Sequence, residues 1–305
     1  MAKQVSSGKA VWTSFFVDLC DIILNVVVMI ATGSVVMLAE AFEGLSDLVA
    51  SGLLLIGLRY SRRRPNKKHP FGYGKSLFFW TLISAMIMLI FGAGLSIYFG
   101  VQRLLHPEEI EKIPYAFGAL CISILTNGYA LSLSTRRLLD KEKLSRLFRI
   151  FLTTTHVETK NTFILDLTGT ASAVIGLISL GLYQLNIHLF DALGAILIGA
   201  IIAVSSVLLI WGVKDYLVGK TATPEVESEI KRAVLDSKAV EKILALKTMY
   251  IGSEKLLVHL DINLKANQKN LEHTIEGIKE QLQKEVPIVY SIQIEISKVE
   301  IQHSR

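Results

Sequence analysis

AEAFEGLSDLVASGLLLIGLRY, Ala39 to Tyr60, is an apolar helix-like segment interrupted by three acids, Glu40, Glu43 and Asp47. At about 100° per residue, positions i, i+3 and i+7 share one stripe of a helix, so all three carboxylates point the same way. A carboxylate near the middle of a membrane helix costs roughly 2.5–3.5 kcal/mol on insertion scales. An acidic seam inside such a rod therefore avoids lipid and calls for a partner.

Working outward, the 305-residue chain is 51% hydrophobic, which fits a membrane protein better than a soluble one. Apolar stretches over 11–32, 76–102, 113–135, 162–187 and 190–213 are each long enough to cross about 30 Å of hydrocarbon as a helix. With the acidic segment they predict six transmembrane helices. The first stretch is too long and too acidic for a signal peptide and is kept as a mature helix. Cys20 and Cys121, the only cysteines, both fall inside spans and are read as packing residues, which leaves no disulfide framework or thiolate zinc cluster.

The basic residues set the orientation. Arg59, Arg62, Arg63, Arg64, Lys67, Lys68 and Lys75 lie between spans two and three. Arg136, Arg137, Lys141, Lys143, Arg146 and Arg149 lie between spans four and five. The loops on the other side are short and weakly charged. By the positive-inside rule both termini are cytoplasmic, in a multi-pass protein of the cell (inner) membrane. Topology accounts for the basic runs, so nucleic acid is not expected as a partner.

Span one carries a second polar stripe, Asp18, Asp21 and Asn25, read first as an inter-helix hydrogen-bonded contact. Asp21, Asn25 and Glu40 are also a candidate ion path. In span three Gly92, Gly94 and Gly100 permit close helix approach. Asn127 is the main polar residue of span four and reads as a helix-to-helix hydrogen bond. Span five, TTTHVETKNTFILDLTGTASAVIG from Thr153, carries Asp166 with Thr162 four residues before it. The two share a face and present a hydroxyl with a carboxylate. A helix start near Thr153 buries Asp166 more than two turns deep, whereas a start near Thr162 leaves it at the edge as a cap. Asp191 reads as the N-cap of span six.

From about Lys220 the composition changes. TPEVESEIKRAVLDS is a helix with Pro224 in its first turn. KILALKTMYIG and EKLLVHLDINL alternate like strands, 270–286 is an amphipathic helix, and 289–301 is a closing strand. The limits expected are a lead over 1–10, a six-helix domain over 11–215 and a small α+β domain (α-β-β-α-β) over 220–305.

Six spans, cytoplasmic ends, acids four apart in span two and this tail together resemble the cation diffusion facilitator family of divalent-metal/proton antiporters. The loop LRYSRRRPNKKHPFGYGK, Leu58 to Lys75, is similar to that of the branch containing the mitochondrial zinc transporter homologue and its prokaryotic relatives. The resemblance implies a homodimer with a metallochaperone-like tail. It implies a secondary transporter rather than an enzyme, with the metal as substrate and no prosthetic group. It also implies a transport site built from Glu43 and Asp47 in span two and Thr162 and Asp166 in span five, where relatives often carry histidine. An oxygen-only shell leans towards a harder ion, so manganese or ferrous iron is favoured and zinc is close behind. Further metals are implied in the tail at His259, His273 and Glu295. A weak loop site is implied at His69, where Asn66 and Tyr73 replace stronger ligands.

Two rivals stand beside this reading. One is a non-transporting membrane metal sensor or assembly partner of the same fold. The other is an intramembrane aspartyl hydrolase using Asp47 and Asp166, which lacks the Gly-x-Gly-Asp motif expected of one.

Overall fold

The computed structural model describes residues 7–140, 142–154, 156–185, 187–237, 239–265 and 270–296, with side chains from 19 onward except 152 and 153. The side chain of Asp18 and the far end of the closing strand, 297–301, lie outside the described residues.

The chain divides into two compact units. The first holds the spans up to Leu58 and from Phe79 to Val213. Helices α1 (Ser7–Thr32) and α2 (Val35–Ser61) are joined by a turn at Gly33, whose φ of 68° is open to glycine and strained for other residues. Span three is α3 (Ser76–Ile87), a π-helical stretch over Met88–Ala93, and α4 (Gly94–Leu105). Helices α5 (Ile113–Leu139), α7 (Val157–Tyr183) and α8 (Leu189–Val218) follow, with the short α6 (Leu147–Thr153) between α5 and α7. Five described helices are long and apolar enough to span a bilayer, and α1 at 26 residues completes the six expected.

Small residues set how closely these helices pack. A β-carbon on Gly100 would lie 2.7 Å from Ile196 Cγ1, and one on Gly199 would lie 2.7 Å from Ile97 Cγ1, so α4 and α8 touch backbone to side chain. Gly92, in the π-helical stretch, meets Ser46 of α2. Gly94 meets only its own segment, so the close approach read for it does not occur. Cys20 and Cys121, expected to be packing residues, are exposed on their helices.

The second unit gathers Arg59–Phe78 with the tail from Lys214. Helix α9 (Pro224–Leu235) starts on Thr223, whose hydroxyl accepts from Val226 N at 3.5 Å. Strands β1 (Val240–Gly252), β2 (Lys255–Leu264) and β3 (Val289–Ile296) form one sheet in the order β1-β2-β3, antiparallel then parallel, with α10 (Leu271–Glu285) as the crossover. Alternate residues of β2, Leu256, Val258, Leu260 and Ile262, are fully buried under the helices. The odd-numbered positions form the opposite, more open face. Within this unit the loop meets the β1–β2 hairpin, where Gly74 and Gly252 pass backbone to backbone. Lys75 Nζ donates to the Leu217 carbonyl at 3.4 Å, and the Phe78 ring stacks on Tyr216 at 4.8 Å.

Candidate metal centre

Helix α2 turns its acids inward. Glu40 is 2% exposed and Glu43 4%, while Asp47 is half-buried. Their register against α7 follows from two glycines. Val36 Cγ1 lies 3.0 Å from where a β-carbon on Gly176 would stand, and Glu43 Oε1 lies 3.1 Å from the equivalent point on Gly169. The two helices therefore run antiparallel with Glu43 against Gly169, and extending that register brings Asp47 level with Leu165 and Asp166. The Asn127 side chain of α5 reaches the same point on Gly169, 3.2 Å from it. Glu43 and Asn127 thus share the small gap that the missing side chain leaves.

Helix α7 begins at Val157 with Glu158 in its first turn, so Asp166 sits about two and a half turns inside rather than at the edge, and the capping alternative falls away. Asp166 is half-buried and turned towards α5, facing the Ser134 hydroxyl and Arg137. Thr162 donates its hydroxyl to the Glu158 carbonyl at 3.0 Å, which leaves its lone pairs for a ligand. Among the described residues no three His, Cys, Asp or Glu side chains converge to hold an ion. The register of α2 on α7 thus brings Asp47 and Asp166 to one depth.

Two residues join the picture. Asn127, read as a plain helix contact, stands beside Glu43. Asn161, next to Thr162, carries no spacing signal of its own in the sequence. It is fully buried on α7, and neither end of its amide has a hydrogen-bond partner among the described residues. An amide in that condition costs about 1–3 kcal/mol. Asn161→Leu is therefore expected to raise the melting temperature, which thermal unfolding reads directly.

The span-one stripe is a separate group. Asp21 accepts from Ser123 Oγ at 3.0 Å and from Asn25 Nδ2 at 3.4 Å, and it lies within electrostatic reach of Glu40. Glu40 Oε1 and Asn25 Oδ1 are buried with no hydrogen-bond partner among the described residues.

In the tail, His259 Nε2 stands 3.9 Å from Glu295 Oε2 on the open face of the sheet. His273 is elsewhere, exposed in the first turn of α10, where Asn270 accepts from its N–H at 3.2 Å. In the loop, Asn66 accepts from the Lys68 and His69 amides at 3.0 and 2.8 Å and donates to Tyr73 Oη at 2.9 Å. Asn66 and Tyr73 therefore build the loop, and His69 packs on the Tyr73 ring at 4.3 Å.

The sequence matches the family model described as the cation efflux transmembrane domain over residues 11–218. The chain belongs to the cation diffusion facilitator family. It is 27% identical over 259 residues to the proton-coupled zinc antiporter SLC30A9, mitochondrial, of Homo sapiens, covering 84% of this chain and 46% of that protein. It therefore spans about half the length of that relative. Metal tolerance protein C4 of Arabidopsis thaliana is 25% identical over 265 residues, covering 84% of this chain and 57% of that one. Magnetosome protein MamB of Paramagnetospirillum magneticum is 22% identical over 293 residues, covering 95% of this chain and 93% of that one. The family is one of divalent-metal transporters rather than enzymes, and the chain is a multi-pass integral membrane protein.

Proposed function

We propose that this chain exports a divalent cation from the cytoplasm in exchange for protons, with manganese or ferrous iron favoured and zinc close behind. The observation that carries the reading is the buried carboxylate of Glu43 seated against Gly169 on the neighbouring span. Glu43 and Asp47 supply the α2 half of the site, Thr162 and Asp166 the α7 half, and Asn127 adds an amide beside Glu43. Every donor in this set is an oxygen, which suits manganese better than a shell containing imidazole does. Zinc stays in competition because carboxylates bind it too, and because the human relative is a zinc antiporter by name.

Carboxylates hold metal only when deprotonated, so ion and proton compete for the same oxygens and the two fluxes are coupled. Glu40, on the same stripe of α2, links this site to Asp21 and Asn25 of α1 as a candidate ion path. Rocking of the helices between inward-open and outward-open states moves the ion, and separation of α5 from α7 frees Asp166 to face it. The basic loops put both ends of the chain in the cytoplasm, and the working unit is a homodimer.

The test is metal-competition uptake in proteoliposomes with manganese, ferrous iron, zinc, cobalt and magnesium, read together with internal pH. Manganese or iron is expected to compete best, each ion taken up is expected to drive protons the other way, and acidifying the metal-loading side is expected to slow uptake. Metal flux with no proton movement would remove the antiport reading, and dominance of zinc would remove the ion preference.

A further inference from the structure

Asp191 was read as the N-cap of its own helix, and the structure corrects this. It lies in the first turn of α8, two residues past the helix start and 1% exposed, and its carboxylate serves α2 instead. Its carboxylate accepts from Ser34 Oγ at 2.7 Å, from Val35 N at 3.1 Å and from Val36 N at 3.1 Å. The first amides of any helix lack partners within it, and the positive end of the helix dipole favours a carboxylate there. A residue distant in the chain thus caps the helix that carries the acidic seam.

Arg103 of α4 completes the arrangement. It is 8% exposed, with Nε 3.9 Å from Asp191 Oδ2. Its guanidinium also donates to the Gly33 carbonyl and to the Glu108 carbonyl, the latter at 2.9 Å, and faces the Glu108 carboxylate at 3.4 Å. One buried charge pair therefore ties together the end of α1, the start of α2, α4 and α8. Val36 is fully buried beneath it, its Cγ2 lying 2.7 Å from where a β-carbon on Gly194 would stand.

A buried ion pair is a poor choice for stability alone, because apolar residues of the same volume hold helices together as well or better. It has a property they lack: its attraction collapses when water enters and raises the local dielectric constant. Glu43 lies about 10 Å along α2 from Val36, so whatever fixes the first turn fixes the depth of the seam. We infer that Arg103 and Asp191 form a lock that closes the end of the bundle away from the basic loops. They act as positioning residues that hold Glu40, Glu43 and Asp47 at their depth until the pair is released.

The inference uses the proposed transport in one arm of its test and is independent of it in the other. In the full chain in liposomes, Cys20→Ser and Cys121→Ser give a background into which Val36→Cys is placed. A membrane-impermeant maleimide is then added from the side of Gly33. Labelling is expected to be slow with the lock intact and about tenfold faster or more in Asp191→Asn or Arg103→Gln. The double variant is expected to be no faster than the faster single, since both open one lock. In the flux arm the same variants are expected to raise the KM for manganese more than they lower kcat. Arg103→Lys, which keeps the buried charge, is expected to restore most of the KM. If Asp191→Asn does not fold, Arg103→Lys carries the labelling test, with a rate between the wild type and Arg103→Gln expected. An unchanged labelling rate in folded variants overturns the lock whether or not the chain moves metal. Faster labelling without any manganese flux keeps the lock and removes only the transport reading.

Discussion

Glu43→Ala is expected to lower metal uptake more than about 100-fold, because even the outer-shell partners of metal ligands cost 10–100-fold when removed. The chain should still fold. Taking a carboxylate out of the middle of a membrane helix removes an insertion cost of roughly 2.5–3.5 kcal/mol, and alanine is the best helix former. Yield and melting temperature are therefore expected to hold or rise while flux disappears, and the two measurements together separate a lost ligand from a lost fold. Glu43→Gln sharpens the test, since it keeps the shape against Gly169 and Asn127 and removes only the charge. It should be nearly as inactive as alanine if the carboxylate binds the ion, and nearly wild type if the side chain only packs. Asp47→Ala is expected to follow Glu43→Ala, and unchanged flux there would count equally against the site.

The spans and the tail were legible because burial in lipid and in a small sheet each imposes a period on the sequence. Alternation in KLLVHLDINL predicts the fully buried Leu256, Val258, Leu260 and Ile262 directly. The acidic seam was legible for the same reason, since three acids on one stripe of an apolar rod have few uses. What escaped depends on partners far away in the chain. Asp191 near the start of an apolar run looks like a local cap, and nothing nearby says that its hydrogen bonds go to Val35 and Val36. The one available signal was Ser34, a cap-type residue just after Gly33 at the start of α2. The π-helical stretch Met88–Ala93 has no sequence period of its own, and it lies where Gly92 meets Ser46 of α2. Asn161 has no four-apart polar partner of the kind that Thr162 and Asp166 form, and only the packing of α7 turns its amide inward.

Gly74→Ala is expected to release the loop Arg59–Phe78 from the β1–β2 hairpin. A β-carbon at Gly74 would overlap the Ile251 carbonyl oxygen and stand 2.9 Å from Gly252 Cα. Both are backbone atoms of a paired hairpin, so no side-chain rotation relieves the clash. Overpacking of this kind costs about 1–3 kcal/mol, which the weakest-held element absorbs by detaching. The loop is that element, because it is irregular and meets the tail through single contacts such as the Lys75–Leu217 hydrogen bond, Lys75 on Met249 Sδ and the Phe78–Tyr216 stack. Hydrogen exchange over Arg59–Lys75 and tryptic cleavage at Arg62 to Lys68 are expected to accelerate roughly tenfold or more. Exchange in β2 should stay slow, because its side chains Leu256, Val258, Leu260 and Ile262 are fully buried and its backbone pairs on both sides. Gly252→Ala is expected to reproduce the effect from the other side, since a β-carbon there would stand 3.0 Å from Gly74 Cα. Unaltered exchange in both variants would mean that the loop gains no stability from this close approach. Faster exchange in β2 as well would mean that the substitution damages the sheet rather than the docking.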